Sequence, residues 1–155
     1  MKKVIALLLT LMLCSSVGLT PQFDYPANLT PVDHPQPLWA GVNWNNSDEV
    51  VNYVHNAYGK LGQFMVDLIR RESSFNPEAR NGNFVGLVQI GPAACRSVNI
   101  AYNDAILYPW LNIEAGARYV QQYCIPMSRG HGSDEVYKRY NLGPWYDSVP
   151  PPDSL

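Results

Sequence analysis

Glu72 is the residue of this chain best placed for acid chemistry. It follows an apolar stripe at helical spacing, Leu61, Phe64, Met65, Leu68 and Ile69, and precedes a turn with Phe75 and Pro77. A carboxyl drawn out of water in this way disfavours its charged form, so its pKa rises. A carboxylic acid that keeps its proton near neutral pH can donate it to a leaving oxygen, the step that breaking a glycosidic bond needs. Arg71 beside it opposes that shift unless its side chain points elsewhere. Taken singly, a Glu at a helix end is most often a solvated surface residue, so the chemistry needs company. Asp67, Glu78, Asp104 and Glu114 read as ordinary surface charges. Metal chemistry is not suggested, because His34, His55 and His131 are scattered and no C-x-x-C occurs.

The company comes as ordered segments. Glu72-Ser73-Ser74-Phe75-Asn76-Pro77 is followed by Gly86-Leu87-Val88-Gln89-Ile90. Asn112-Ile113 with Gly116 and Tyr119 comes next, and then Tyr140-Asn141 with Gly143-Pro144. Each fragment alone is weak, whereas four in this order are specific. The set resembles the lytic transglycosylase family, whose pattern runs E-S-x-x-N-P, G-L-M-Q-I, N-I-x-x-G-x-x-Y and A-Y-N-x-G-P. The resemblance spans about Val50 to Trp145. It implies a mainly helical, goose-type-lysozyme-like fold and peptidoglycan glycan strands as substrate. It makes Glu72 the sole catalytic carboxylate and Gln89 a glutamine of the sugar cleft. Tyr140 and Asn141 become the pair facing the acid, and Ser73 a structural support.

With a single acid, the resemblance implies substrate assistance. The N-acetyl oxygen of N-acetylmuramic acid attacks its own anomeric carbon, and the product is a 1,6-anhydro ring. A lysozyme-type hydrolase on the same fold needs the same acid, and a noncatalytic glycan-binding protein would have lost it. No cofactor is implied. Val88 departs from the family's Met, losing a flexible contact surface. Arg139 departs from its Ala, making the rim of that helix bulkier and charged. The Asn81-Gly82-Asn83 turn resembles variants in small enzymes of secretion and conjugation systems. A small domain without a wall-binding module suits a secretion machine, a conjugation apparatus or a phage particle, and it suits general wall turnover equally.

The elements that must position these residues read as helices around one core, with little or no sheet. Ser47 can cap a helix with Val50, Val51, Val54, Ala57 and Tyr58 on one face. Gly59 and Gly62 interrupt it before the stripe that leads to Glu72, which ends near Ser73-Ser74 ahead of Pro77. Asn81-Gly82-Asn83 is a turn, and Phe84 to Ile90 is either a brief strand or a tight loop. Pro92 opens a helix through Val98, and Asp104 to Pro109 reads as a loop. Trp110, Ile113, Ala117, Val120 and Cys124 repeat at helical spacing until Pro126. Gly116 in that run predicts close packing against another helix. Ser133 can cap a last helix with Val136, Tyr137 and Tyr140, closed by Gly143-Pro144.

The 155 residues suggest one domain. Residues 1–18 read as a secretory signal, 19–46 as a proline-rich arm, 47–145 as the catalytic domain and 146–155 as a proline-rich tail. A net charge of −2 with no basic cluster excludes the footprint of a nucleic-acid binder. Lys2-Lys3 precede an apolar run from Val4 to Leu13, too short for a permanent membrane span. A retained anchor is the alternative. Cys14 follows Leu13, where lipidation needs a small residue, so lipidation is not expected. Loss of the signal leaves Cys95 and Cys124, an even count in an oxidising compartment. The resemblance packs their two helices together, and a bridge there would be worth about 3–4 kcal/mol. The alternative is two buried free thiols. N-terminal sequencing of the exported form is expected to begin near Leu19, whereas a start at Met1 indicates the anchor.

Overall fold

The computed structural model describes residues 38–147; the signal segment, the arm up to residue 37 and the tail from residue 148 lie outside the described residues. Described residues are mainly helical, and their sheet is one short hairpin. Helix α1, Ser47–Tyr58, is capped by Asn46 and not by Ser47, which is already helical. Asn46 is extended, with φ −106° and ψ 110°, so its Oδ1 accepts from the N–H of Asp48 at 3.0 Å and of Glu49 at 3.3 Å. Val50, Tyr53 and Val54 are buried on its inner face. Residues 38–46 pack onto the helices, with Trp39 stacked on Trp110 at 5.1 Å and Trp44 edge-on to Tyr53.

A 3₁₀ turn at Gly59–Leu61 leads into α2, Gly62–Ser73, which packs along α1. Met65, Val66, Leu68 and Ile69 face the core. The helix stops where the sequence predicts, because Ser74 and then Phe75 adopt left-handed angles, with φ of 51° and 65°. Strands β1, Arg80–Asn81, and β2, Phe84–Val85, pair antiparallel across Gly82-Asn83. Both readings of residues 84–90 are therefore present. A two-residue strand runs into a tight turn, closed by reciprocal hydrogen bonds between Val85 and Ile90 at 3.2 and 3.1 Å.

Helix α3 is Pro92–Ser97, and α4, Tyr102–Leu107, occupies most of the stretch read as a loop. Six residues do not hold a helix unaided, so its stability comes from burial of Ala105 and from packing against α5, Pro109–Tyr119. The helix does not end at Pro126. A wide turn at Val120–Cys124, closed by the Ile125 N–H on the Val120 carbonyl, passes into α6, Ile125–Met127. One extra residue in the turn accommodates a proline that has no N–H and whose ring would strike a carbonyl of a regular helix. Helix α7, Ser133–Leu142, follows Gly132 with no side-chain cap, so Ser133 is its first residue and not its cap.

The centre of the domain is polar at one point. Asn112 is fully buried on α5. Its Oδ1 accepts from the Val88 N–H at 3.0 Å, and its Nδ2 donates to the carbonyls of Val85 at 2.9 Å and Ala105 at 3.2 Å. One side chain thus ties the 85–88 turn and α4 to α5. Gly86, at φ 75°, makes room for it: a Cβ there would lie 2.4 Å from Asn112 Nδ2. Gly116 packs closely as expected, though against the turn and not a helix, since its Cβ would meet Val88 Cγ2 at 2.8 Å. Val88 is correspondingly core, fully buried.

Arg139 is also inside and not on a rim. It is 5% exposed and pairs with Glu135 at 2.9 Å and Asp147 at 2.8 Å. It also donates to the Pro144 carbonyl. The stability of the Asn112 clamp is directly measurable. Asn112→Ala strands one N–H and two carbonyls, each worth about 1–3 kcal/mol when buried without a partner. Urea unfolding is expected to show a loss of roughly 3–5 kcal/mol. A loss under ~1 kcal/mol would mean that water substitutes for the amide.

Candidate active site

Glu72 lies in the last turn of α2 and is half-buried. Burial pushes its pKa above the usual carboxylate value, and a hydrogen bond from Tyr137 pulls partly the other way. The C-terminal position adds to the upward push, because a helix carries partial negative charge there. The Tyr137 hydroxyl donates to Glu72 Oε1 at 3.0 Å. Arg71 forms no ion pair with the carboxylate, and its guanidinium lies over the Tyr137 ring, 4.6 Å from its centroid. Arg70 turns outward to Asp67 at 2.7 Å.

The other expected residues have distinct surroundings. Tyr140 hydrogen-bonds from its hydroxyl to the Val88 carbonyl at 2.6 Å. Its pKa is raised well above the ordinary value by burial first and then by the negative field of Glu72, which puts it in the acid's neighbourhood. Asn141 is exposed, with its amide on the Tyr137 backbone carbonyl at 3.3 Å. Gln89, at φ 49°, turns its Nε2 into its own loop, to the carbonyls of Gly86 at 2.9 Å and Ala79 at 3.0 Å. Ser73 bonds back along α2 to the Ile69 carbonyl at 3.1 Å. Glu72, Tyr137, Tyr140 and Asn141 thus form one group where α2 meets α7, while Gln89 and Ser73 bond within their own segments.

Tyr137 is the residue that sequence reasoning assigned only to the inner face of its helix. Its signal was its spacing, three positions before Tyr140 and so on the same side of α7. Glu114 was also misjudged as a surface charge. It accepts from the Tyr58 hydroxyl at 2.9 Å and from Arg118 Nε at 2.7 Å, joining α1 to α5. Cys95 and Cys124 are buried free thiols, so the expected bridge is not formed in this structure. Burial pushes their pKa values to about 11 and about 12.

Among the described residues, no group of His, Cys, Asp and Glu side chains is gathered as a metal site, and no helix is long and apolar enough to cross a membrane. A cavity of about 190 Å³ between α2 and α7 has Arg71 and Tyr137 in its wall. A larger one of about 440 Å³, lined by Arg129, His131, Lys138 and Asp147 among others, contains none of the expected site residues.

A small helical domain with a half-buried glutamate at the end of α2 is the arrangement that the four motif segments build. The family model described as "Transglycosylase SLT domain" matches residues 49–146, and the chain belongs to that family. Its general function is accordingly of the lytic transglycosylase type, acting on the peptidoglycan of the cell wall. Comparison with curated proteins and with solved structures returns no match.

The raised pKa of Glu72 carries a stability consequence. A carboxyl whose pKa rises on folding contributes most below its ordinary pKa and loses that contribution as pH rises through the folded value. Glu72→Gln is neutral at every pH. It is expected to melt at the same or a higher temperature than the wild type near pH 7, with the difference closing below about pH 4. Thermal scans at both pH values check this, and a lower melting temperature near pH 7 would contradict it.

Proposed function

We propose that this protein is a lytic transglycosylase that cleaves the β-1,4 bond between N-acetylmuramic acid and N-acetylglucosamine. Glu72 serves as its acid and then as its base. One observation carries the reading. Glu72 is half-buried with its pKa raised by that burial, and no other carboxylate contributes to the shift. A carboxyl whose proton is held more tightly by burial suits protonation of the leaving oxygen.

In the first step Glu72 gives its proton to the glycosidic oxygen as that oxygen leaves the anomeric carbon. The N-acetyl carbonyl oxygen of the same muramic residue closes on that carbon, forming an oxazolinium ring. In the second step the Glu72 carboxylate takes the proton of the C6 hydroxyl. The C6 oxygen displaces the N-acetyl oxygen, and the 1,6-anhydro ring forms. Glu72 ends protonated, and no water is consumed. Tyr140 and Asn141 on α7 flank the reacting sugar. Gln89, whose amide nitrogen is committed to loop carbonyls, offers its amide oxygen to a sugar hydroxyl. Such an activity requires export, for which Lys2-Lys3 and the Val4–Leu13 run are the vehicle.

Digestion of purified peptidoglycan followed by mass spectrometry of the products tests the reaction. Anhydro-ended muropeptides, lighter by one water than lysozyme products, are expected; reducing ends alone would make the protein a hydrolase. Glu72→Gln is expected to lower the rate by at least ~10²–10⁴, and near wild-type clearance by that variant would remove Glu72 from the chemistry.

A further inference from the structure

Helix α7 presents two tyrosines to the site, and their hydroxyls have different tasks. That of Tyr140 is committed to the Val88 carbonyl, which fastens α7 to the 85–88 turn. That of Tyr137 donates to Glu72 Oε1 at 3.0 Å. Tyr137 is held at both ends. The Arg71 guanidinium covers its ring at 4.6 Å, a favourable cation–π geometry, and the Asn141 amide donates to its backbone carbonyl at 3.3 Å. This arrangement directs the positive charge of Arg71 to the ring and leaves the carboxyl to a neutral donor.

A protonated carboxyl has one O–H and one carbonyl oxygen, and only the latter is a good acceptor. We propose that Tyr137 is a positioning residue for Glu72: by engaging Oε1 it leaves the transferable proton on Oε2, and it holds that oxygen's direction through both steps. The inference rests on the reading of Glu72 as acid and base. The same contact also favours the carboxylate form and so opposes the effect of burial. Arg71 on its own helix and Tyr137 and Tyr140 on α7 are ionisable groups beside Glu72, and Asp67 of α2 and Asp134 of α7 line the adjoining cavity. The 86–91 segment below Tyr140 carries no ionisable side chain.

The test is Tyr137→Phe, which keeps the ring and its stack on Arg71 but removes the hydroxyl. On soluble glycan-strand fragments, kcat is expected to fall roughly ten- to a hundredfold through lost orientation, with KM little changed. The alkaline limb of the pH profile, which reports loss of the Glu72 proton, is expected to move to higher pH because a donor to the carboxylate is gone. Carbon NMR titration of the Glu72 carboxyl in both proteins reads the same displacement without turnover. An unmoved limb and an unmoved titration overturn the proposal even if kcat falls, since a purely structural role would lower activity alone. Glu72→Gln run in parallel separates the two ideas. Full activity in that variant overturns the assignment of Glu72, and the Tyr137 proposal with it. An inactive Glu72→Gln with an unshifted Tyr137→Phe overturns only the proposal.

Discussion

The buried amide of Asn112 is the contact from which the geometry of the site descends. The turn at 85–88 has little sheet to satisfy its backbone, and buried peptide groups without partners are costly. Asn112 supplies both a donor and an acceptor from within α5, and two glycines let the parts close. Gly86 admits the amide, and Gly116 admits Val88. With Val88 fixed, its carbonyl receives Tyr140, which sets α7 against the turn. One helical turn along α7, Tyr137 reaches Glu72. Three of the four motif segments are thus consecutive links of one mechanical path from the core to the carboxyl. A side chain in the first turn of α5 therefore governs the aim of a group that it does not touch.

The site has few charges of its own. Burial raises the proton affinity of Glu72, a hydroxyl lowers it, and the nearest cation faces an aromatic ring. A group that must give a proton and then take one back is served by a pKa near the working pH. Balanced, modest influences suit such a group better than a strong ion pair, which would hold it in one state.

The helices were legible in the sequence because their apolar stripes repeat with the right period, and the motif segments were legible because their order is specific. What was missed depends on tertiary contact. Six-residue α4 has too few turns for a periodic signal and exists through Ala105 and the Asn112 amide. The caps of α1 and α7 each fell one residue earlier than the serine that attracted attention, because capping depends on backbone angles that two adjacent candidates do not reveal. Pro126 read as a stop because a regular helix forbids it, whereas a widened turn does not. Around the acid, residue types were readable but hydrogen-bond directions were not. The left-handed backbone of Gln89 turns its amide inward, and Tyr137, assigned only to the buried face of its helix, reaches Glu72.

Arg139 gives the domain a boundary that its helices do not define. A guanidinium cannot shed its proton in a protein, and this one is almost dry, neutralised by Glu135 within α7 and by Asp147 beyond it. The five residues after the last helix therefore act as a counter-ion strap. Polypeptide trimmed to the end of α7 would contain every helix of the described residues, yet its buried guanidinium would lose the Pro144 carbonyl and the Asp147 carboxylate. The smallest self-sufficient version of this fold is set by the hydrogen bonding of a buried guanidinium and extends at least to residue 147.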